Sequence, residues 1–210
     1  MALFWQHNGE AFRLAVWQAD ETEEELLAHF SPSLRAEYEC EARRFTMLHR
    51  RMEWFAVRAL LAKMVGEERR ICYEPSGKPF LDDRSQAISI SHTKGYVALA
   101  LYNGAAVGID IEQYGQRVHR VASRFLHPDE QVAPYRDDRT WGLLLHWSAK
   151  ESVYKCMEHP DADLRRLCAQ PFVPCAAGSF RMQSTATEHI QWFDINYRIA
   201  EDFVLTWTTR

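Results

Sequence analysis

One order of elements runs twice through the chain: strand, helices, then strands. Phe12 to Ala19 (FRLAVWQA) reads as a strand, and Glu21 to Phe30 as a short helix whose acidic first turn suits the helix dipole. Ser31-Pro32 restarts a helix, with Ser as N-cap and Pro in the first turn. The run of helix formers then reaches Val65 and stops at Gly66, as one long helix or two. YEPSGKPF, Tyr73 to Phe80, forces a turn, after which Ala87 to Ser91 and Tyr96 to Tyr102 read as strands closed by SHTKG. The second half repeats the order. Val107 to Glu112 is a strand; Arg117 to Phe125, Pro128 to Tyr135 and Arg139 to Met157 are helical; Phe180 to Gln183, Ile190 to Ile199 and Phe203 to Thr208 alternate as antiparallel strands. HTKGYVALALY at 92–102 and IAEDFVLTWTT at 199–209 echo one another faintly. The pattern predicts two similar α+β halves, 1–104 and 105–210, without a low-complexity linker. Such halves packed together would form a cleft, a common place for a ligand.

Composition narrows the class. With 210 residues, 47% hydrophobic and 26% charged, there is ample material for a core. No apolar run approaches the roughly 20 residues of a membrane span, and MALFWQHNGEAF lacks the basic start of a signal peptide, so the expected location is the cytoplasm, with no membrane partner. Five cysteines without CxxC spacing argue against a disulfide framework or zinc site and are read as reduced thiols. A net charge of -4 gives no support to nucleic-acid binding.

The strand VGIDIE carries Asp110 and Glu112 on one face, Ile109 and Ile111 on the other. Two carboxylates starting about 6.6 Å apart belong either to a half-exposed strand or to a shared cation. In WSAKESVYK, Glu151 and Lys155 stand one helical turn apart, which also describes an ordinary surface ion pair. If Glu151 converges on the strand, the three acids suit a hard cation such as magnesium, with manganese as an alternative, completed by phosphate oxygens. Arg50 and Arg58, about two turns apart, form a candidate phosphate fork, and Lys78, Ser91 and His92 lie in turns or at strand ends where binding groups are displayed. Glu130 in HPDE either complements a helix dipole or acts as a base. Phosphate-cradling and nucleophile-elbow motifs are absent.

Taken in order, GKP (77–79), SISH (89–92), VGIDIE (107–112), RFLHPDE (124–130) and WSAKESVYK (147–155) resemble the 4'-phosphopantetheinyl transferase superfamily, most nearly its larger single-chain type that activates carrier proteins. The resemblance implies a pseudo-twofold duplicated α+β fold, each half a three-stranded antiparallel sheet on a long helix, with coenzyme A bound between them. It implies transfer of phosphopantetheine to a serine of an apo acyl or peptidyl carrier protein, as in fatty-acid, polyketide or nonribosomal-peptide synthesis. Asp110, Glu112 and Glu151 would hold magnesium; Lys150 and Lys155 would contact phosphate oxygens; Arg50, Arg58 and His92 would bind the 3'-phosphate, and Lys78 and Ser91 the nucleotide. Glu151 or Glu130 is the candidate base, directly or through water, and Lys155 assists the leaving group. The acid-rich AEYECEARRF is assigned no cofactor contact. Arg117, Arg120 and Arg124, beside Val118, Val121 and Phe125, form a candidate docking face for an acidic carrier, and fused halves favour a monomer. Two other readings use the same residues: a magnesium-dependent nucleotide bisphosphate phosphohydrolase, and a non-catalytic domain binding an acidic partner or RNA.

Overall fold

The computed structural model describes residues 2–157, 163–185 and 189–210, and the chain divides into two units, Met1–Asn103 and Gly104–Arg210. In the first unit the strands are β1 (Ala2–Asn8) and β2 (Phe12–Gln18), followed by helices α1 (Glu23–Leu27), α2 (Pro32–Ala42) and α3 (Leu48–Val65). A short hairpin, β3 (Ile71–Tyr73) and β4 (Pro79–Leu81), precedes β5 (Ala87–Thr93) and β6 (Tyr96–Tyr102). The main sheet has the order β1-β2-β6-β5, antiparallel throughout. Every residue from Tyr96 to Leu101 is buried, so β6 reads as a continuous apolar run instead of an alternation. Val97, Leu99 and Leu101 share one core with Phe55, Ala59 and Leu60 of α3. Each large side chain of this set contributes about 1.5–3 kcal/mol over its exposed state.

Local chemistry fixes the helix ends. Thr22 and Glu25 form a reciprocal capping box, so α1 begins later than the acidic run suggests. The helical run after Ser31-Pro32 is two helices: Arg43 closes α2 and Met47, in extended backbone (φ -92°, ψ 124°), opens α3. Between them Phe45 turns in against Trp54, with ring centroids 6.1 Å apart. Gly66 (φ 77°) ends α3, its N–H donating to Ala62 O at 2.9 Å. The turn expected over Tyr73–Phe80 is narrower, because Tyr73 and Pro79 already pair across β3 and β4. Strand β1 was not expected; it is an edge strand with a register shift between Leu3 and Trp5, too irregular to alternate cleanly.

The second unit comprises β7 (Val107–Gln113), α4 (Arg117–Val121), α5 (Arg139–Cys156), β8 (Leu167–Ala169), β9 (Ala177–Ser184), β10 (Gln191–Ile199) and β11 (Phe203–Thr209). Its antiparallel sheet has the order β7-β11-β10-β9-β8. The sheets hold four and five strands, where the sequence read three and four and the resemblance implied three each: β1 adds to the first, and β8, too short to signal itself, to the second. Helix α5 lies against β7 and β11 at close range. A Cβ on Gly108 would fall 1.8 Å from Ser152 O, so only glycine admits the helix there. Ser148 Oγ donates to Asp110 O at 3.2 Å, and Ser148 and Ser152 both share hydrogen bonds with Thr206 Oγ1. Residues 128–135 are irregular, not helical: Glu130 is drawn inward, Pro134 restricts Ala133, and Ala133 O packs where a Cβ on Gly142 would stand. Among the described residues no helix is long and apolar enough to cross a membrane, and all five cysteines are free.

Candidate functional site

Strand period and helix period meet at β7 and α5. Asp110 and Glu112 leave β7 on the face that α5 covers, and Trp147, Glu151 and Lys155 recur at four-residue spacing along one ridge of that helix. Lys155 Nζ donates to Asp110 Oδ1 at 2.8 Å and to Ile109 O at 2.9 Å. Trp147 Nε1 donates to Glu112 Oε1 at 2.8 Å. Asp110 is 4% exposed, so its pairing with Lys155 is screened far less than a surface ion pair.

The acids feel one another. Burial, and then the charge of Asp110, push Glu112 up to about 7 against the opposing pull of the Trp147 N–H and Lys155. Burial and Asp110 also raise Glu151, with Lys155 opposing. Three partly buried carboxylates with one ammonium are short of positive charge. Among the described residues no group of three His, Cys, Asp or Glu side chains stands arranged to hold a metal by itself. Hard carboxylate oxygens in this state nevertheless fit magnesium, which is bound through one or two carboxylates with water and substrate phosphate completing the shell.

Lys150 and Glu130 do not join this set. Lys150 is fully buried, and its Nζ donates to Phe125 O at 2.7 Å, Leu167 O at 2.6 Å and Glu130 Oε2 at 2.6 Å. The Glu130 carboxylate also accepts from the N–H of His127 at 2.7 Å and of Ala169 at 2.9 Å. Burial depresses Lys150 and the Glu130 charge opposes that shift. The expectations of Lys150 as a phosphate ligand and Glu130 as a base are therefore corrected: side chains with zero exposure and filled hydrogen bonds tie the 125–130 and 164–169 segments to α5. The docking face is corrected in part. Arg117, Arg120 and Arg124 are exposed, but Val118 and Phe125 belong to the core of this unit and Val121 packs on it.

In the first unit a cavity of about 490 Å³ is lined by Arg44, Arg50, Glu53, Arg58 and His92 with Phe45, Trp54, Val57, Tyr73, Gly77, Pro79 and Ile90. Arg50, Arg58 and His92 thus come together, as the fork and strand-end reading requires. Lys78 and Ser91 do not line the cavity, although their neighbours Gly77, Pro79, Ile90 and His92 do. Arg58 is 3% exposed, its guanidinium 3.3 Å from the Trp54 ring, and burial lowers its affinity for the proton. Its Nε and the Trp54 Nε1 are buried donors with no acceptor. Arg44, over the Phe45 ring at 4.9 Å, is a pocket cation that the sequence reading left out; the only local signal was the Arg43-Arg44 pair ahead of a helix start.

Residues 106–208 match the family model of the 4'-phosphopantetheinyl transferase superfamily. No protein of curated function matches the chain. The superfamily match takes in Asp110, Glu112, Glu151 and Lys155, whereas the basic cavity lies outside the matched span.

Proposed function

We propose that the protein is a 4'-phosphopantetheinyl transferase of the larger single-chain type. It moves the phosphopantetheine arm of coenzyme A to a serine of an apo acyl or peptidyl carrier protein and releases adenosine 3',5'-bisphosphate. The observation that carries the reading is the superfamily match on the unit in which Asp110, Glu112, Glu151 and Lys155 are gathered. In the first unit Arg50, Arg58 and His92 take the 3'-phosphate, with Lys78 and Ser91 toward the nucleotide. The guanidinium groups of Arg44, Arg50 and Arg58 among the lining residues support an anionic ligand in that cavity.

Asp110, Glu112 and Glu151 would hold magnesium, which when bound offsets negative charge on the pyrophosphate. The serine oxygen forms a bond to the β-phosphorus as the bridging P–O bond to the nucleotide breaks, and the bisphosphate leaves with that electron pair. Glu151, directly or through a water, takes the serine proton. Lys155 is 28% exposed on a flexible stem, so its ammonium can turn from Asp110 to the leaving phosphate. Glu130 has no part in this scheme. The three exposed arginines of the 117–124 segment are the surface offered to an acidic carrier.

The test incubates the purified protein with coenzyme A, magnesium and a panel of apo carriers, and weighs each carrier intact. Addition of one phosphopantetheine group on the carrier serine is expected. No gain on any carrier refutes the transferase reading, and bisphosphate release without carrier modification would establish the hydrolase instead.

A further inference from the structure

The cavity of the first unit carries one charge of the wrong sign. Arg44, Arg50, Arg58 and His92 line it, and Glu53 is the sole acid among its lining residues. Glu53 follows Arg50 by one turn of α3, and its Oε2 accepts from Arg50 Nη1 at 3.2 Å. The same oxygen lies 3.4 Å from His92 Nδ1, on β5, while Arg50 Nη1 stands 3.4 Å from His92 Nε2. Arg44 and Arg58 face aromatic rings instead. An exposed i, i+3 pair would ordinarily mean little. This one differs, because the Glu53 side chain is only 21% exposed, bridges two elements and occupies the side chains to which the phosphate has been assigned.

We infer that Glu53 is a resident counter-ion that an incoming phosphate monoester must displace from Arg50 and His92, so that it holds down the cavity's affinity for a terminal phosphate. The inference rests on the assignment of this cavity to the 3'-phosphate. A phosphate monoester brings about -1.5 to -2 charges and three acceptor oxygens, and so outcompetes a single carboxylate. A singly charged diester or carboxylate only exchanges like for like. Glu53 thus lowers the affinity of this subsite for the phosphate it admits.

Titration calorimetry tests this with adenosine 3',5'-bisphosphate and with adenosine 5'-monophosphate, which lacks only the 3'-phosphate. The proteins are wild type, Glu53→Gln, Glu53→Ala and Arg50→Ala. Removal of one like charge a few ångströms from a dianion should tighten bisphosphate binding by at least about tenfold in both Glu53 variants. The monophosphate should move less than about twofold, a contrast that a purely packing role would not produce. Arg50→Ala should weaken the bisphosphate alone. Unchanged or weaker bisphosphate binding by Glu53→Gln, with the Arg50 effect intact, overturns the counter-ion role and leaves the phosphate assignment standing. If wild type and both Glu53 variants fail to prefer the bisphosphate, the phosphate assignment itself falls and this inference with it. Thermal melting shows that the variants are folded.

Discussion

Lys150→Met removes an ammonium while keeping the length and apolar stem of a fully buried side chain. In the native unit that ammonium holds Glu130 Oε2, Phe125 O and Leu167 O at 2.6, 2.7 and 2.6 Å. Its loss leaves a carboxylate buried with zero exposure and no cation, and three carbonyls, of Phe125, Leu164 and Leu167, short of a donor. Breaking a buried pair in this way costs about 3–5 kcal/mol, a large part of a typical folding free energy of about 5–15 kcal/mol. For a chain of this size the midpoint should fall by roughly 6–20 °C. Lys150→Met/Glu130→Leu should recover part of the loss, because no charge remains buried alone, although the amides of His127 and Ala169 then lack an acceptor. Urea unfolding with an unchanged slope, alongside calorimetry with coenzyme A, separates stability from binding. A Lys150→Met protein within about 0.5 kcal/mol of wild type that has lost coenzyme A affinity would refute the reasoning and return Lys150 to the phosphate.

Asp110→Ala and Glu151→Ala should each cut carrier modification by at least about a hundredfold while melting cooperatively, and a folded variant of near-native rate removes that carboxylate from the mechanism. Gly108→Ala would place a Cβ 1.8 Å from Ser152 O, so α5 must shift; destabilisation of about 1–3 kcal/mol or more is expected in urea, and a neutral result would mean that α5 sits farther from β7. His146 is buried, bonded through Nδ1 to Gly142 O at 2.8 Å, and burial holds its pKa below 6.5. Its folded pKa being depressed, the unfolded chain binds the extra proton, so stability is full above about 6.5 and falls as pH drops below it. Unfolding free energies between pH 7.5 and 5 should slope less in His146→Gln than in wild type, and equal slopes would show that His146 titrates alike in both states.

What the chain discloses by periodicity is the framework of each unit. The alternation in VGIDIE and the helical run from Arg139 to Cys156 are visible because burial on one face imposes its period on the sequence. Lys150 and Glu130 could not be placed that way. A charged residue next to Glu151 reads as solvated unless the partners twenty residues upstream are known to close over it. The pocket cations Arg44 and Arg58 were split between omission and recognition for the same reason: a guanidinium against a tryptophan ring is a tertiary fact without a local pattern. Residues 128–135 misled because Pro128 and Glu130 imitate a helix start, while the carboxylate is in fact spent on Lys150.

Helix α5 is seated on its sheet by three hydroxyls and a missing methyl group. Greasy contacts between helix and sheet have shallow minima and permit a helix to slide or roll. A serine–serine–threonine cluster that shares its protons has a sharp one, so it works as a key in a slot and indexes the rotation of the shaft. The spacing between an acid on the helix and an acid on the strand is therefore set in part by uncharged groups. Exchange of Ser148, Ser152 or Thr206 for alanine would leave every carboxylate in the chain, yet loosen the gauge that holds them apart.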